Sequence, residues 1–477
     1  MSGIFGVVSK NDCGEILYYG TDYHSHLGTE YGGIAILGKE FIRRIHNISY
    51  SQFKSKFYED LKELKGNKGI GAISSLDEQP VYIKSQLGSF CIVTNGFIEN
   101  KEELASQLME RGISFSETTR DMINETELVA KLITQGEDLI DGIEKIFSLI
   151  EGSCSLLILT KEGIYAARDR LGYFPLIVGK RRDAWAVTTE TSAFPNLDFE
   201  IVKYLEPGEI VLINEDGLVE KKMGSHRKQV CAFLWIYTGF PASTYEGINV
   251  EMVRERCGRF LARRDKDINI DLVTGVPDSG IGHALGYAME SGKPYRRPLV
   301  KYTPGYGRSY TPPSQETRDL VARMKLIPIR EIIQGKSIVV CEDSIVRGTQ
   351  LKNFTIKKLW DNGAKEVHIR VACPPLMFPC KFNFSTRTIE ELAARRAIRY
   401  IEGKDIEDIS EYLDHNSYKY KKMVDWIAQE LGVTTLRYQI LEDMVKAIGL
   451  AEDKLCLYCW TGKFVHAEKK SMFEIVR

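Results

Sequence analysis

No stretch of this sequence reaches the roughly 18 consecutive apolar residues that a membrane-spanning helix needs. The first residues, Met1-Ser2-Gly3-Ile4-Phe5-Gly6, lack a basic region followed by a long apolar run, so no secretory signal is expected. Charge of either sign is not in excess: 64 Lys and Arg face 65 Asp and Glu, and no global field draws nucleic acid or an anionic membrane. No basic tract with interleaved aromatics argues otherwise. There is no internal repeat, no low-complexity segment and no Gly-x-x-x-x-Gly-Lys-Ser/Thr phosphate loop. These absences leave an expectation of a cytoplasmic protein that contacts neither membrane nor nucleic acid.

What is present is an ordinary globular balance, 43% hydrophobic and 27% charged over 477 residues. That length allows about two to four domains with sizeable cores and no need of disulfides. The ten cysteines therefore read as reduced thiols or metal ligands. Up to about residue 228 the chain shows short apolar strands near 4–9, 33–37, 90–94, 155–160, 175–178, 185–188 and 209–213. Helical patterns are grouped at 101–111, 125–134 and 140–150. Strands in runs with grouped helices predict a layered α+β domain. The polar stretch 221–229 marks a candidate boundary, giving domains 1–228 and 229–477. Beyond it helices (250–264, 281–291, 350–361) alternate with strands (270–276, 297–302, 337–341, 366–372), which predicts an α/β domain with a parallel sheet. From about 385 the chain is expected to be mostly helical, ending near 456–464.

The strongest chemical signal is the run from Gly335 to Gln350. The apolar strand Ser337-Ile338-Val339-Val340-Cys341 ends in Glu342-Asp343. Ser344-Ile345-Val346-Arg347-Gly348-Thr349 follows as a turn before a helix. In open α/β sheets, ligands bind beyond the carboxyl ends of the strands. Free N–H groups at a helix start bind phosphate. Gly348 lets backbone approach closely, and Ser344 and Thr349 add hydroxyl donors. The acid pair can hold ribose hydroxyls or hydrated Mg²⁺.

This run resembles the phosphoribosyl pyrophosphate (PRPP) motif of type I phosphoribosyltransferases, and specifically that of the amidophosphoribosyltransferase family that opens purine biosynthesis. The family more often carries Asp-Asp where this chain has Glu342-Asp343. Gly275-Val276-Pro277-Asp278-Ser279-Gly280 resembles its pyrophosphate loop. The resemblance implies that Ser279 joins Glu342 and Asp343 around magnesium. PRPP binding is implied for Asp278, Ser279, Gly280, Lys301, Arg308, Ser344, Ile345, Val346, Arg347, Gly348 and Thr349. Gly307-Arg308, Pro312, Gln315, Glu316, Arg318 and Arg323-Met324-Lys325-Leu326 resemble a catalytic loop that closes over PRPP and excludes water, with Arg323 and Lys325 as catalytic cations. Lys301-Tyr302-Thr303-Pro304-Gly305-Tyr306 departs from the family there. Taken singly, each of these cations reads equally well as a solvated surface charge.

Cys456-Leu457-Tyr458-Cys459, followed by Trp460-Thr461-Gly462-Lys463-Phe464, resembles the C-terminal end of the iron–sulfur branch. With Cys231 and Cys380 the branch's four cysteine positions are filled. The resemblance implies a structural 4Fe–4S cluster; zinc could use the same four sulfurs. The other six cysteines, Cys13 and Cys257 among them, are expected in the core or near the surface.

Residues 1–225 resemble a class II glutamine amidotransferase of Ntn-hydrolase-like αββα layering. Ser2-Gly3-Ile4-Phe5-Gly6, His26-Leu27-Gly28, Thr94-Asn95-Gly96, Arg168-Asp169 and Pro207-Gly208-Glu209 occur in the family's order. In that class an N-terminal cysteine attacks glutamine, but Ser2 stands here. Ala72-Ile73-Ser74-Ser75 replaces the segment with the carboxylate-binding arginine, Glu125 replaces an aspartate, and Phe97 an asparagine. Asn95 and Gly96, the oxyanion pair, remain. A missing bidentate arginine and a weak nucleophile together argue against glutamine hydrolysis. The expected activity is displacement of pyrophosphate from PRPP by ammonia, free or from a separate glutaminase, in a homo-oligomer that purine nucleotides could inhibit. Two alternatives stay open: a regulatory pseudoenzyme that binds PRPP or nucleotides, and a glutamine-dependent enzyme using Ser2. Residues 405–425 exceed the family's connection and are expected as an extra surface helix or a partner contact.

Overall fold

The computed structural model describes residues 2–119, 122–302, 326–383, 386 and 388–463. Two antiparallel sheets face each other in the N-terminal part. The first has seven strands, in the order Glu200–Tyr204, Ile177–Arg181, Ala184–Thr188, Gly3–Ser9, Lys68–Ser74, Tyr31–Leu37 and Phe41–Asn47. The second has six, in the order Leu218–Lys222, Ile210–Ile213, Ile164–Ala167, Gly152–Leu159, Gly88–Ile98 and Val81–Ser85. Ile4, Ala72, Val93, Leu157, Val187 and Val211 interdigitate between them. Helix Gly14–Asp22 covers the outer face of the first sheet. Helices Lys101–Glu110, Glu125–Ile133 and Leu139–Leu149 cover the second. Central strands such as Gly3–Ser9 and Gly152–Leu159 are thus buried on both faces, which is why they read as apolar runs, while glycines interrupt that pattern in Lys68–Ser74.

The strand bounds correct the expectation in places. Predicted 175–178 is Ile177–Arg181, and 297–302 is only Leu299–Lys301. Phe41–Asn47, Glu200–Tyr204 and Leu218–Lys222 went unpredicted because they are edge strands, whose charged residues break the apolar pattern. Lys221 and Lys222, the start of the predicted boundary stretch, belong to the last of these.

The C-terminal part is built on a parallel sheet ordered Leu272–Gly275, Ser337–Glu342, Glu366–Val371 and Thr435–Tyr438. Helices Val250–Arg263 and Gly280–Ser291 pack at close range. A Cβ on Gly286 would lie 1.9 Å from the Glu255 carbonyl oxygen, so only glycine permits this approach. Residues 405–425 are not simply an added surface helix. Helix Tyr418–Leu431 buries Met423, Val424, Ile427 and Leu431, and it carries the chain into the sheet's last strand.

Candidate active site

Parallel pairing brings Gly275 level with Cys341 at the carboxyl ends of adjacent strands. The Val276 N–H donates to the Cys341 carbonyl at 2.9 Å and locks the two loops side by side. The Pro277–Asp278 peptide in the first loop is cis. Ser279 then donates its hydroxyl to Asp343 Oδ2 at 2.5 Å. Ser344 donates to Oδ1 at 2.6 Å, and the Asp343 N–H donates to Glu342 Oε1 at 3.2 Å. The acid pair is withdrawn from solvent: Glu342 is 9% and Asp343 4% exposed. Burial, then the charge of Asp343, hold the Glu342 carboxyl well above the usual carboxylate range.

This pair opens into a cavity of about 520 Å³. Ser279, Lys301, Ser344, Ile345, Val346, Arg347 and Gly348 line it with Glu342 and Asp343. Gly348 has φ of +78°, as a tight loop before a helix demands. Asp278 meets the site through its ion pair to Lys301. Gly280 starts the helix behind the loop, and Thr349 is not among the lining residues. Arg308, Arg323 and Lys325 lie outside the described residues. Arg347 is held at 2.5 Å by Glu391, which also lines the cavity.

Sequence reasoning missed Glu391, Tyr237 and Phe354 as lining residues. Only Phe354 had a signal, four residues beyond Gln350 on the helix after the loop. Arg254 was missed too. It is 2% exposed, donates to the carbonyls of Trp235, Tyr237 and Gly239, and sets a positive charge near Asp343. A hollow of about 560 Å³ at the other end of the sheet offers no comparable chemistry. Its two acids are engaged, Asp265 by Tyr287, Arg370 and Arg437 and Glu290 by Arg263.

The N-terminal remnant is closed. The Ser2 N–H donates to Asn95 Oδ1 at 3.1 Å. The Ser2 hydroxyl donates to Ser74 and accepts from Gln79, both at 3.2 Å. Glu125 accepts from Lys101 Nζ at 2.7 Å, so a cation of the chain itself occupies the replacement acid. The space among Ser2, Gly96, Phe97 and Glu125 is about 10 Å³, room for at most about one water.

Beneath it, burial and then Glu125 raise the Asp77 carboxyl to about 7. A carboxyl raised on folding binds more protons in the native state, so stability falls as pH rises from about 4 to about 7. Between pH 5 and 8 the wild type should lose about 2–3 kcal/mol more than Asp77→Asn. Urea unfolding at the two pH values measures this; equal losses would show that Asp77 titrates normally.

The four cysteines converge between the two parts of the chain. Val230–Cys231 pairs in parallel with Leu455–Cys456. Cys459 is hydrogen-bonded through its thiol to Cys380, and its carbonyl accepts the N–H groups of Met377 and Phe378. Burial, then Cys380, push the Cys231 thiol up to about 12. Among the described residues, no three histidine, cysteine or acidic side chains close around one point as a single-ion site would. Cys13, Cys91, Cys154, Cys257, Cys341 and Cys373 are buried, as expected of core thiols.

Comparison with known proteins agrees with this geometry. A glutamine amidotransferase domain model matches residues 70–196. The chain is 32% identical to an amidophosphoribosyltransferase of Methanocaldococcus jannaschii, over 97% of each sequence. It is also 32% identical to that of Bacillus subtilis, over 97% of this chain and 93% of the relative. The solved structure of the B. subtilis glutamine PRPP amidotransferase complexed with ADP and GMP superposes with a TM-score of 0.83. That pair is 31% identical and covers 98% of both chains. A structure described as the allosteric regulatory enzyme of purine biosynthesis gives the same TM-score and identity over 97% of this chain and 96% of that one. No helix among the described residues is long and apolar enough to cross a membrane. With an Ntn-type αββα half, a phosphoribosyltransferase-type parallel sheet and relatives at this identity over nearly its whole length, the chain belongs to the amidophosphoribosyltransferase family.

Proposed function

We propose that this chain converts PRPP and ammonia to 5-phosphoribosylamine and pyrophosphate, the first committed step toward purine nucleotides. The buried pair Glu342–Asp343, tied to Ser279 at the mouth of the 520 Å³ cavity, carries this reading. The nitrogen lone pair forms the bond to ribose C1 as the C1–oxygen bond breaks. The electron pair leaves with pyrophosphate, and the surplus proton on nitrogen passes to solvent. Ser279, Glu342 and Asp343 would hold Mg²⁺, which neutralises the departing anion. A carboxyl raised as Glu342 is must lose its proton to bind the cation, so binding weakens toward acid pH. Backbone and hydroxyl groups of 344–349 take the 5-phosphate. Lys301 and Arg347 supply cationic charge, and the family resemblance adds Arg308, Arg323 and Lys325, which lie outside the described residues.

The N-terminal domain is a glutaminase fold without glutaminase function. Its end lies between Lys222, in the last strand of the second sheet, and Gln229, whose side chain reaches the Asp453 carbonyl in the C-terminal part. Ammonia then comes from solution or from another glutaminase. Purine nucleotides are further candidate ligands, since the B. subtilis relative was solved with ADP and GMP. Pyrophosphate release with PRPP plus ammonium, compared with PRPP plus glutamine, tests the assignment. Release with neither, though PRPP binds, would make the chain a regulatory binder.

Four neighbouring thiols are the donor set of a 4Fe–4S cluster, and zinc could use the same four sulfurs. Cys231, Cys380, Cys456 and Cys459 would hold it. It would tie residues near 231 to the C-terminal segment rather than act on substrate. Anaerobic purification should give brown protein with about four irons and four sulfides per chain. A colourless, metal-free, folded protein would remove the cluster.

A further inference from the structure

The loop that follows the acid pair is tied down from outside the cavity. The Val346 carbonyl accepts the Ala393 N–H at 2.7 Å, and the Arg347 carbonyl accepts from Arg396 Nη2 at 2.6 Å. Ala393 opens the helix Ala393–Glu402, so its N–H has no partner within that helix and can bond the loop instead. Ala393, Ala394, Ala397 and Ile398 are buried and fix the helix in the core, whereas Arg396 is exposed. Val346, Arg347 and Gly348 line the cavity; Ala393 and Arg396 do not. The two carbonyls therefore point away from the cavity. In a trans peptide the C=O and the following N–H point in opposite directions, and neither of these peptides is cis. The N–H groups of Arg347 and Gly348 are thus turned toward the cavity, and among the described residues neither meets an acceptor. Successive amides directed at one space bind an anion. They keep that direction only while their carbonyls are held. The peptide joining Arg347 to Gly348 is the easier of the two to turn over, because glycine accepts either sense of φ. Arg396 holds that one.

We infer that Arg396 is a positioning residue for the transfer reaction: it holds the Arg347–Gly348 peptide so that the Gly348 N–H is directed at the 5-phosphate of PRPP. The inference rests on the reading that loop 344–349 takes that phosphate. Arg396 itself touches no substrate. It acts through one backbone carbonyl and makes the loop ready before the ligand arrives, which lowers the ordering cost of binding. The pyrophosphate end of the substrate belongs to the other loop, at Asp278–Gly280, on which Arg396 has no hold.

The test is Arg396→Ala in the full chain, with two probes of the cavity titrated by calorimetry in the presence of Mg²⁺. Ribose 5-phosphate reports the phosphate loop, and inorganic pyrophosphate reports the other. Ribose 5-phosphate should bind about fivefold more weakly than to wild type, and pyrophosphate equally well. With PRPP and ammonium, KM for PRPP should rise by a similar factor while kcat stays within about twofold. Arg396→Lys keeps a cationic donor and should recover most of the loss. Unchanged binding of ribose 5-phosphate to Arg396→Ala overturns the assignment and leaves the cavity reading intact. So does equal weakening of both probes, which would mark a general loosening of the site. A wild-type protein that binds neither probe and does not turn over PRPP overturns both readings. Should the alanine variant unfold, Arg396→Gln, which keeps most of the bulk, is read by the same criteria.

Discussion

Asp343→Asn should lower the rate of pyrophosphate release from PRPP and ammonium by about 10²–10³-fold or more, while the protein stays folded. The substitution keeps shape. Ser279 and Ser344 both direct hydroxyls at the Asp343 carboxylate, and an amide oxygen can accept from one of them. What disappears is the negative charge beside Glu342, and with it half of the anionic seat for a divalent cation. Arg254, already near that seat, then meets one carboxylate fewer and repels the cation more. Unfolding midpoints matched to wild type would show that the loss is chemical. Unaltered turnover would count against the whole reading of the cavity.

Glutamine should fail to replace ammonium by a margin of at least about 10²-fold, and Ser2→Cys should not restore it. Installing a thiol repairs only the nucleophile. The space it faces holds about 10 Å³, Glu125 is engaged by Lys101, and Ser74 with Ser75 stand where an arginine would clamp the substrate carboxylate. Three defects in one pocket are coupled, so correcting one leaves binding absent. Glutamate released at a rate near that with ammonium, in wild type or in Ser2→Cys, would show that the pocket opens and that the domain works.

The comparison between chain and fold has a physical pattern. Strands sandwiched between layers, such as Gly3–Ser9 and Ser337–Glu342, were legible where burial on both faces writes an unbroken apolar run. Lys68–Ser74, equally central, was missed because Gly69 and Gly71 interrupt its apolar residues, and the four-residue Ile164–Ala167 was too short to register. Edge strands were not legible. Phe41–Asn47 carries Arg43, Arg44 and His46, and their long side chains lie along a surface that a one-dimensional pattern cannot display. The same holds at the site. Glu342, Asp343 and Gly348 announced themselves because strand end, acid pair and glycine turn are contiguous. Glu391 and Arg254 did not, since they arrive from about 50 residues downstream and 90 upstream by the packing of separate helices.

By itself, then, the sequence determined the strand that ends in Glu342-Asp343 with its glycine turn, the change from a layered α+β pattern to a parallel α/β one, and the serine at position 2. Each is a property of residues adjacent in the chain or matched by spacing. Only the tertiary structure decided that the acids are buried, that Lys101 pairs with Glu125, and that the four cysteines come near one another. These depend on which distant side chains exclude water from one another, and free energies of burial and pairing exist only after the chain has folded.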